Sequence, residues 1–172
     1  MSHDYGPMVI IHGTQRFRDR VTAVPAAEVE TSTTILGPWY ATVLRWRPAV
    51  ALFVNASTLL PVFMPFAPTR TLLDRFPVAV AEVLAAHGVP TLVITEETAA
   101  MSTCRLAPTA NRSVVGTMND FSFLADHHRG DFAGDLLGLS VRLAETPCSP
   151  LYKSHISPDR ELAAVIEGHL TT

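Results

Sequence analysis

Residues 36–66 read LGPWYATVLRWRPAVALFVNASTLLPVFMPF, and this stretch decides the fold. Aromatic and β-branched residues alternate with polar ones, the period-two pattern of strands. Pro48 interrupts one run. Asn55-Ala56-Ser57-Thr58 interrupts the next, with side chains suited to bonding the local backbone in a turn. The pattern predicts strands over 39–46, 49–55 and 60–64, joined by an Arg47-Pro48 turn and a turn at 55–58. Consecutive strands with short links usually pair in order, so an antiparallel meander is expected.

Upstream, Met8-Val9-Ile10-Ile11 lies between Pro7 and Gly13 and predicts a buried first strand. Residues 14–34, with Arg16, Arg18 and Arg20 before an Ala/Glu/Val stretch, fit a short helix or a loop. Downstream, Leu72, Leu73, Phe76, Val80, Val83 and Leu84 share one helical face, with Thr69 or Thr71 as cap and Gly88 past the end. Pro77 either kinks this helix or starts its regular part. Short strands are read at 91–94 and 103–106. A helix is expected over 111–128, capped by Thr109 or Asn111, with Val114, Val115, Met118 and Phe121 inward. Phe132, Leu136, Leu139 and Leu143 predict a further helix, with Gly134 and Gly138 hinting at close packing. Ser157-Pro158 opens a terminal one with Leu162, Val165 and Ile166 inward.

Strands first and helices later define an α+β class, an antiparallel β-meander sheet packed against about four helices in a single layer on one face. The 172 residues are expected to form a single domain, with 1–7 a flexible N-terminal extension.

The composition, 48% hydrophobic against 17% charged, excludes a disordered chain. Pro, Arg or Asp interrupts every apolar run before it reaches the roughly 20 residues that span a bilayer, so no membrane partner is expected. The first residues lack a secretory pattern, which sets a cytoplasmic expectation with Cys104 and Cys148 as thiols. A net charge of −3 gives no global basic field. Arg16, Arg18 and Arg20, and Arg45 and Arg47 around Trp46, mix cations with aromatics as nucleic-acid surfaces do. With Asp19 and the acidic total, a solvated arm is the better reading, and a nucleic-acid partner is disfavoured without being excluded.

The densest polar cluster is 108–123, where Asn111, Arg112, Ser113, Asn119 and Asp120 are the candidate site residues. On a helix, Arg112, Asn119 and Asp120 can share a side, and an arginine fork beside free helix amides suits an anion or a carbonyl. The alternative is structural, with Asn111 or Ser113 capping and Arg112 and Asp120 tethering. His12, at a strand end, and His127 are weaker candidates. Asp126, His127, His128 and Asp131 crowd together without a zinc spacing, so no metal is expected. Cys104 with His12 is a conceivable nucleophile pair. The chain lacks GxSxG, GxxxxGK[ST] and GxGxxG, and no cofactor is expected.

The segments WYA (39–41), LFVNASTLLPV (52–62) and NRSVVGTMNDF (111–121), with LSVRLAETPCSPLY (139–152), resemble in this order an uncharacterised bacterial family of domains of unknown function. The resemblance spans about residues 8–158 and brings no catalytic residue with it. It implies a setting in plasmids or mobile elements, and with it a role in defence, toxin control or DNA maintenance. Two functions follow. The first is a non-catalytic binding or protein-interaction domain, with a protein partner or a homodimer. The second is a small hydrolase or nuclease-like enzyme using the cluster at 111–120.

Overall fold

The computed structural model describes residues 6–172, so residues 1–5 of the expected extension lie outside the described residues. The meander forms as β2 (Trp39–Leu44), β3 (Val50–Asn55) and β4 (Pro61–Pro65), paired antiparallel in that order. The sheet as a whole departs from expectation. β1 (Val9–Gly13) runs parallel to β2, and β5 (Cys104–Pro108) runs parallel to β1 on its other side. The result is a five-stranded mixed sheet in the order β4-β3-β2-β1-β5. Parallel neighbours need long crossovers rather than tight turns. Residues 14–38, between β1 and β2, and 66–103, between β4 and β5, provide that length.

The expectation of about four helices in one layer is also overturned. Six α-helices form among the described residues, and they cover both faces. On one face α1 (Gln15–Arg18), α2 (Leu72–Ala86), α3 (Thr91–Ala100) and α6 (Pro158–Leu170) bring Phe17, Phe76, Val93 and Leu162 against Trp39, Phe53 and Val62. On the other, α4 (Arg112–Phe132) and α5 (Leu136–Leu143) bring Val114, Met118, Phe121 and Leu139 against Tyr40, Leu52 and Phe63. The cause lies in β3, which is buried at every position. A strand without a solvated face needs cover on both sides.

The expected strand at 91–94 is the first turn of α3. A four-residue apolar run has no period of its own, and here it continues through Glu96, Glu97 and Ala99 as a helix. α4 runs past 128 to Phe132 and ends at Ala133 in the left-handed region, so Phe132 belongs to α4 and not to α5. α2 continues through Pro77. Proline has no N–H for the Leu73 carbonyl four residues back, and that carbonyl instead accepts from the Cys104 thiol at 3.9 Å.

Two buried polar side chains fix the loops. Asn55 donates through Nδ2 to Leu36 O at 3.0 Å and accepts through Oδ1 from the backbone of Thr58 at 2.9 Å and its hydroxyl at 3.1 Å. Leu59, at φ 62°, completes that turn. Glu97 accepts from Ile35 N at 2.7 Å and Leu36 N at 3.0 Å, tying the chain that enters β2 to α3.

Both outer edges of the sheet are covered. Along β5, Ala26 N donates to Leu106 O and Leu106 N to Val24 O. Along β4, α5 packs on the strand and Ser140 Oγ accepts from Phe63 N at 2.9 Å.

Candidate functional site

β1, β2 and β5 share a direction, so their carboxyl ends lie at one end of the sheet. From there α1 leaves β1 toward one face and α4 leaves β5 toward the other. Such opposite departures leave a crevice beyond the strand ends, where α/β sheets commonly bind ligands.

Around it, His12 stacks on Tyr40 with ring centroids 4.8 Å apart. Its Nδ1 lies 2.9 Å from Pro108 O, and because a carbonyl only accepts, Nδ1 is the donor. The Tyr40 hydroxyl accepts from Asn111 N at 2.8 Å. The Asn111 side chain accepts from Ser113 N at 2.9 Å and Val114 N at 3.3 Å, capping α4.

β1 stops where Gly13 pairs with Ala41, whereas β2 runs on to Leu44. Beside this overhang lies a cavity of about 380 Å³ lined by Arg16 of α1, by Thr42, Val43, Arg45 and Trp46, and by Asn119, Ser122, Asp126 and Arg129 of α4. Three arginines thus arrive from three separate segments. Arg16 and Arg45 are exposed and bond nothing among the described residues. Arg129 lies over the Trp46 ring, 4.6 Å from its centroid, and Trp46 Nε1 donates to Asp126 at 2.6 Å. Among the described residues, Asp126 is the only carboxylate lining the cavity. Trp46 and Arg129 also border an apolar cavity of about 340 Å³ formed with Pro48, Val50, Pro65, Phe132 and Leu136.

The candidate residues are therefore only partly assembled. His12 and Asn111 meet through Tyr40, in hydrogen-bonded and stacking roles. Asn119 lines the arginine cavity, while Asp120 lines a different one of about 330 Å³ with Thr117, Phe123, Cys148 and Tyr152. Arg112 and Ser113 are exposed, and Arg112 has no side-chain bond among the described residues. His127 is exposed, with its ring edge-on to His128 at 5.4 Å. No three His, Cys, Asp or Glu side chains gather to hold a metal among the described residues. Nor is any helix there long and apolar enough to cross a membrane. Sequence reasoning missed Arg129. It did mark Arg16 and the cations around Trp46, but as a solvated arm.

Cys104 and His12 do not form a pair, because Cys104 packs with the α2 face while His12 stacks on Tyr40 of the α4 face. Burial pushes the Cys104 thiol up to about 11, with Asp74 adding to it, and burial with Asp120 does the same to Cys148. Both thiols are expected to react with a disulfide reagent at neutral pH about a hundredfold more slowly in the folded protein than after urea unfolding, following the thiolate fraction. A stopped-flow absorbance trace with one fast native thiol would contradict this.

A family model described as a domain of unknown function, DUF6933, matches residues 10–161. No curated protein and no solved structure matches the chain.

Proposed function

The chain belongs to the family described as domain of unknown function DUF6933, and from that premise we propose that it is a non-catalytic binding domain whose cavity beside β2 holds a carboxylate or phosphate group. The observation that supports this is the convergence of Arg16, Arg45 and Arg129 on one cavity of about 380 Å³ with Asp126 as the single opposing charge among the described residues. Asp126 is already engaged by Trp46 Nε1. Asn119 and Ser122 add neutral hydrogen-bonding groups, and arginine forks match planar or tetrahedral anions.

The enzyme alternative uses the cluster at 111–120, with Arg112, Asn119 and Asp120 acting beside a histidine such as His127, and needs them around one cleft. Asn111 is occupied as a cap, and Asn119 and Asp120 line different cavities. Binding is the better-supported reading.

Calorimetric titration with citrate and with inorganic phosphate tests it. Saturable binding that weakens with added salt is expected, and Arg45→Ala or Arg129→Ala is expected to weaken it by about tenfold or more, since a hydrogen bond to a charged group contributes ~1.5–3 kcal/mol. Arg142→Ala serves as the control and is expected to bind as the unmodified protein does, since Arg142 of α5 has Glu145, just past the helix end, as its partner at 3.6 Å. No binding of either anion, or equal binding by the Arg45/Arg129 double variant, would reject the proposal.

A further inference from the structure

Resting on that reading, we infer that the anion is the head group of an amphiphile, a monocarboxylate whose alkyl chain of about eight to ten carbons fills the apolar cavity beside Trp46. The two cavities share a wall. Trp46 and Arg129 line both the arginine cavity and the apolar one of about 340 Å³. The Arg129 guanidinium lies over the Trp46 ring, 4.6 Å from its centroid, and pairs with no carboxylate among the described residues. A group bonded to Arg129 therefore stands at the border of the apolar space.

The shape of that space follows from the chain around it. The turn from α4 to α5 contributes only Ala133 and Gly134, held at φ 41° and 90°, a region that disfavours large side chains. No long side chain fills the cavity from that side. Val50, Phe132 and Leu139 form apolar wall, and Pro48 and Pro65 add rigid rings that carry no N–H.

The charges at the rim are of one available sign. Asp135 is the only carboxylate lining this cavity among the described residues, and it is engaged as the cap of α5, accepting from Gly138 N at 2.8 Å. Arg47 and Arg129 are exposed and make no ion pair among the described residues. Apolar walls beside unpaired cations favour an anion with an apolar body over a neutral or a cationic ligand. Size sets the length of that body. An apolar cavity of roughly 150 Å³ takes a benzene ring, so about 340 Å³ holds a chain of about eight to ten carbons.

The probes are butyrate, hexanoate, octanoate, decanoate and dodecanoate, titrated by calorimetry into the full chain beside citrate. Affinity is expected to rise about three- to fourfold per added methylene up to about ten carbons and then to level off. Octanoate is expected to bind with a negative heat-capacity change that citrate lacks, the mark of buried apolar surface. Octanol, which has the chain without the charge, and octanoate with Arg129→Ala are each expected to bind about tenfold more weakly, the loss of one good hydrogen bond to a charged group. Phe132→Ala is expected to flatten the dependence on chain length, with circular dichroism checking that the variant folds.

If citrate binds but octanoate binds no tighter than butyrate, the anion pocket stands and this inference falls. Equal binding of octanol overturns the placing of the carboxylate at the arginines. Affinity that still climbs at dodecanoate, or a chain-length dependence untouched in folded Phe132→Ala, puts the chain outside the cavity and also overturns it. If neither citrate nor any member of the series binds, the underlying reading fails with it.

Discussion

Asn55→Ala is expected to lower the unfolding free energy by about 3–5 kcal/mol, because it strips partners from several buried groups at once and each such loss costs ~1–3 kcal/mol. Leu36 O loses its donor at 3.0 Å, and Thr58 loses the acceptor of both its N–H and its hydroxyl. Asn55 itself is wholly buried, so no water replaces the amide. The turn depends on those bonds, since Leu59 is held at φ 62°, where a branched side chain is disfavoured. For a chain of this size the loss corresponds to a fall in Tm of about 8–15 °C. Ser57→Ala beside it is the control. Ser57 is exposed and enters the turn through its backbone N–H alone, so a change within about 0.5 kcal/mol is expected. Thermal unfolding followed by circular dichroism reads both, and equal Tm values for the two variants would show that the Asn55 side chain does not hold the turn.

Glu97→Ala is the second large loss, about 2–4 kcal/mol, because it leaves the N–H groups of Ile35 and Leu36 without their acceptor. Glu97 is 1% exposed, and burial pushes its carboxyl above the usual 4.5, with the two N–H bonds pulling it partly back. The pH dependence follows in sign. A carboxyl whose folded pKa exceeds its unfolded value contributes stability that is fully present below the unfolded value and is lost as pH rises through the folded one. Glu97→Gln has no such titration. It is therefore expected to be less stable than the unmodified protein by the largest margin below the usual carboxylate value, with the margin narrowing as pH rises above it. Urea unfolding on both sides of that value measures it, and a margin that widens with pH would mean that Glu97 is held ionised.

What the sequence made legible is local. The meander at 39–64 could be read because alternation and turn chemistry agree over short distances, and Asn55 sits where its side chain closes the turn it was expected to mark. The apolar stripe of α2 and the Asn111 cap of α4 are likewise set by neighbours within a few residues. The parallel partners of β1 were not legible, since nothing within 8–13 states that its neighbours begin at Trp39 and Cys104. The burial of β3 on both faces was visible as VALFVN, an almost unbroken apolar run, and its meaning, helices on both sides, could have been drawn from it. The site was the least accessible part. Arg16, Arg45 and Arg129 are far apart in the chain, and only the crossover that places α1 and α4 beside β2 brings them together. Within the candidate cluster at 111–120, neighbours on one helix, Asn119 and Asp120, face different cavities.

The central place of β1 bears on how the chain folds during its synthesis. When the chain has emerged as far as Pro65, the meander can close on itself through contacts of short sequence separation, while one long edge of β1 has no partner until Cys104–Pro108 follows. The face that receives α4 and α5 waits longer still. Low-separation contacts form early and distant ones late, so the nascent protein passes through a stage in which a hydrophobic half-sheet is open to solvent. For this topology the hazard of misassembly lasts until α4 and α5 have emerged and sealed the second face of the sheet.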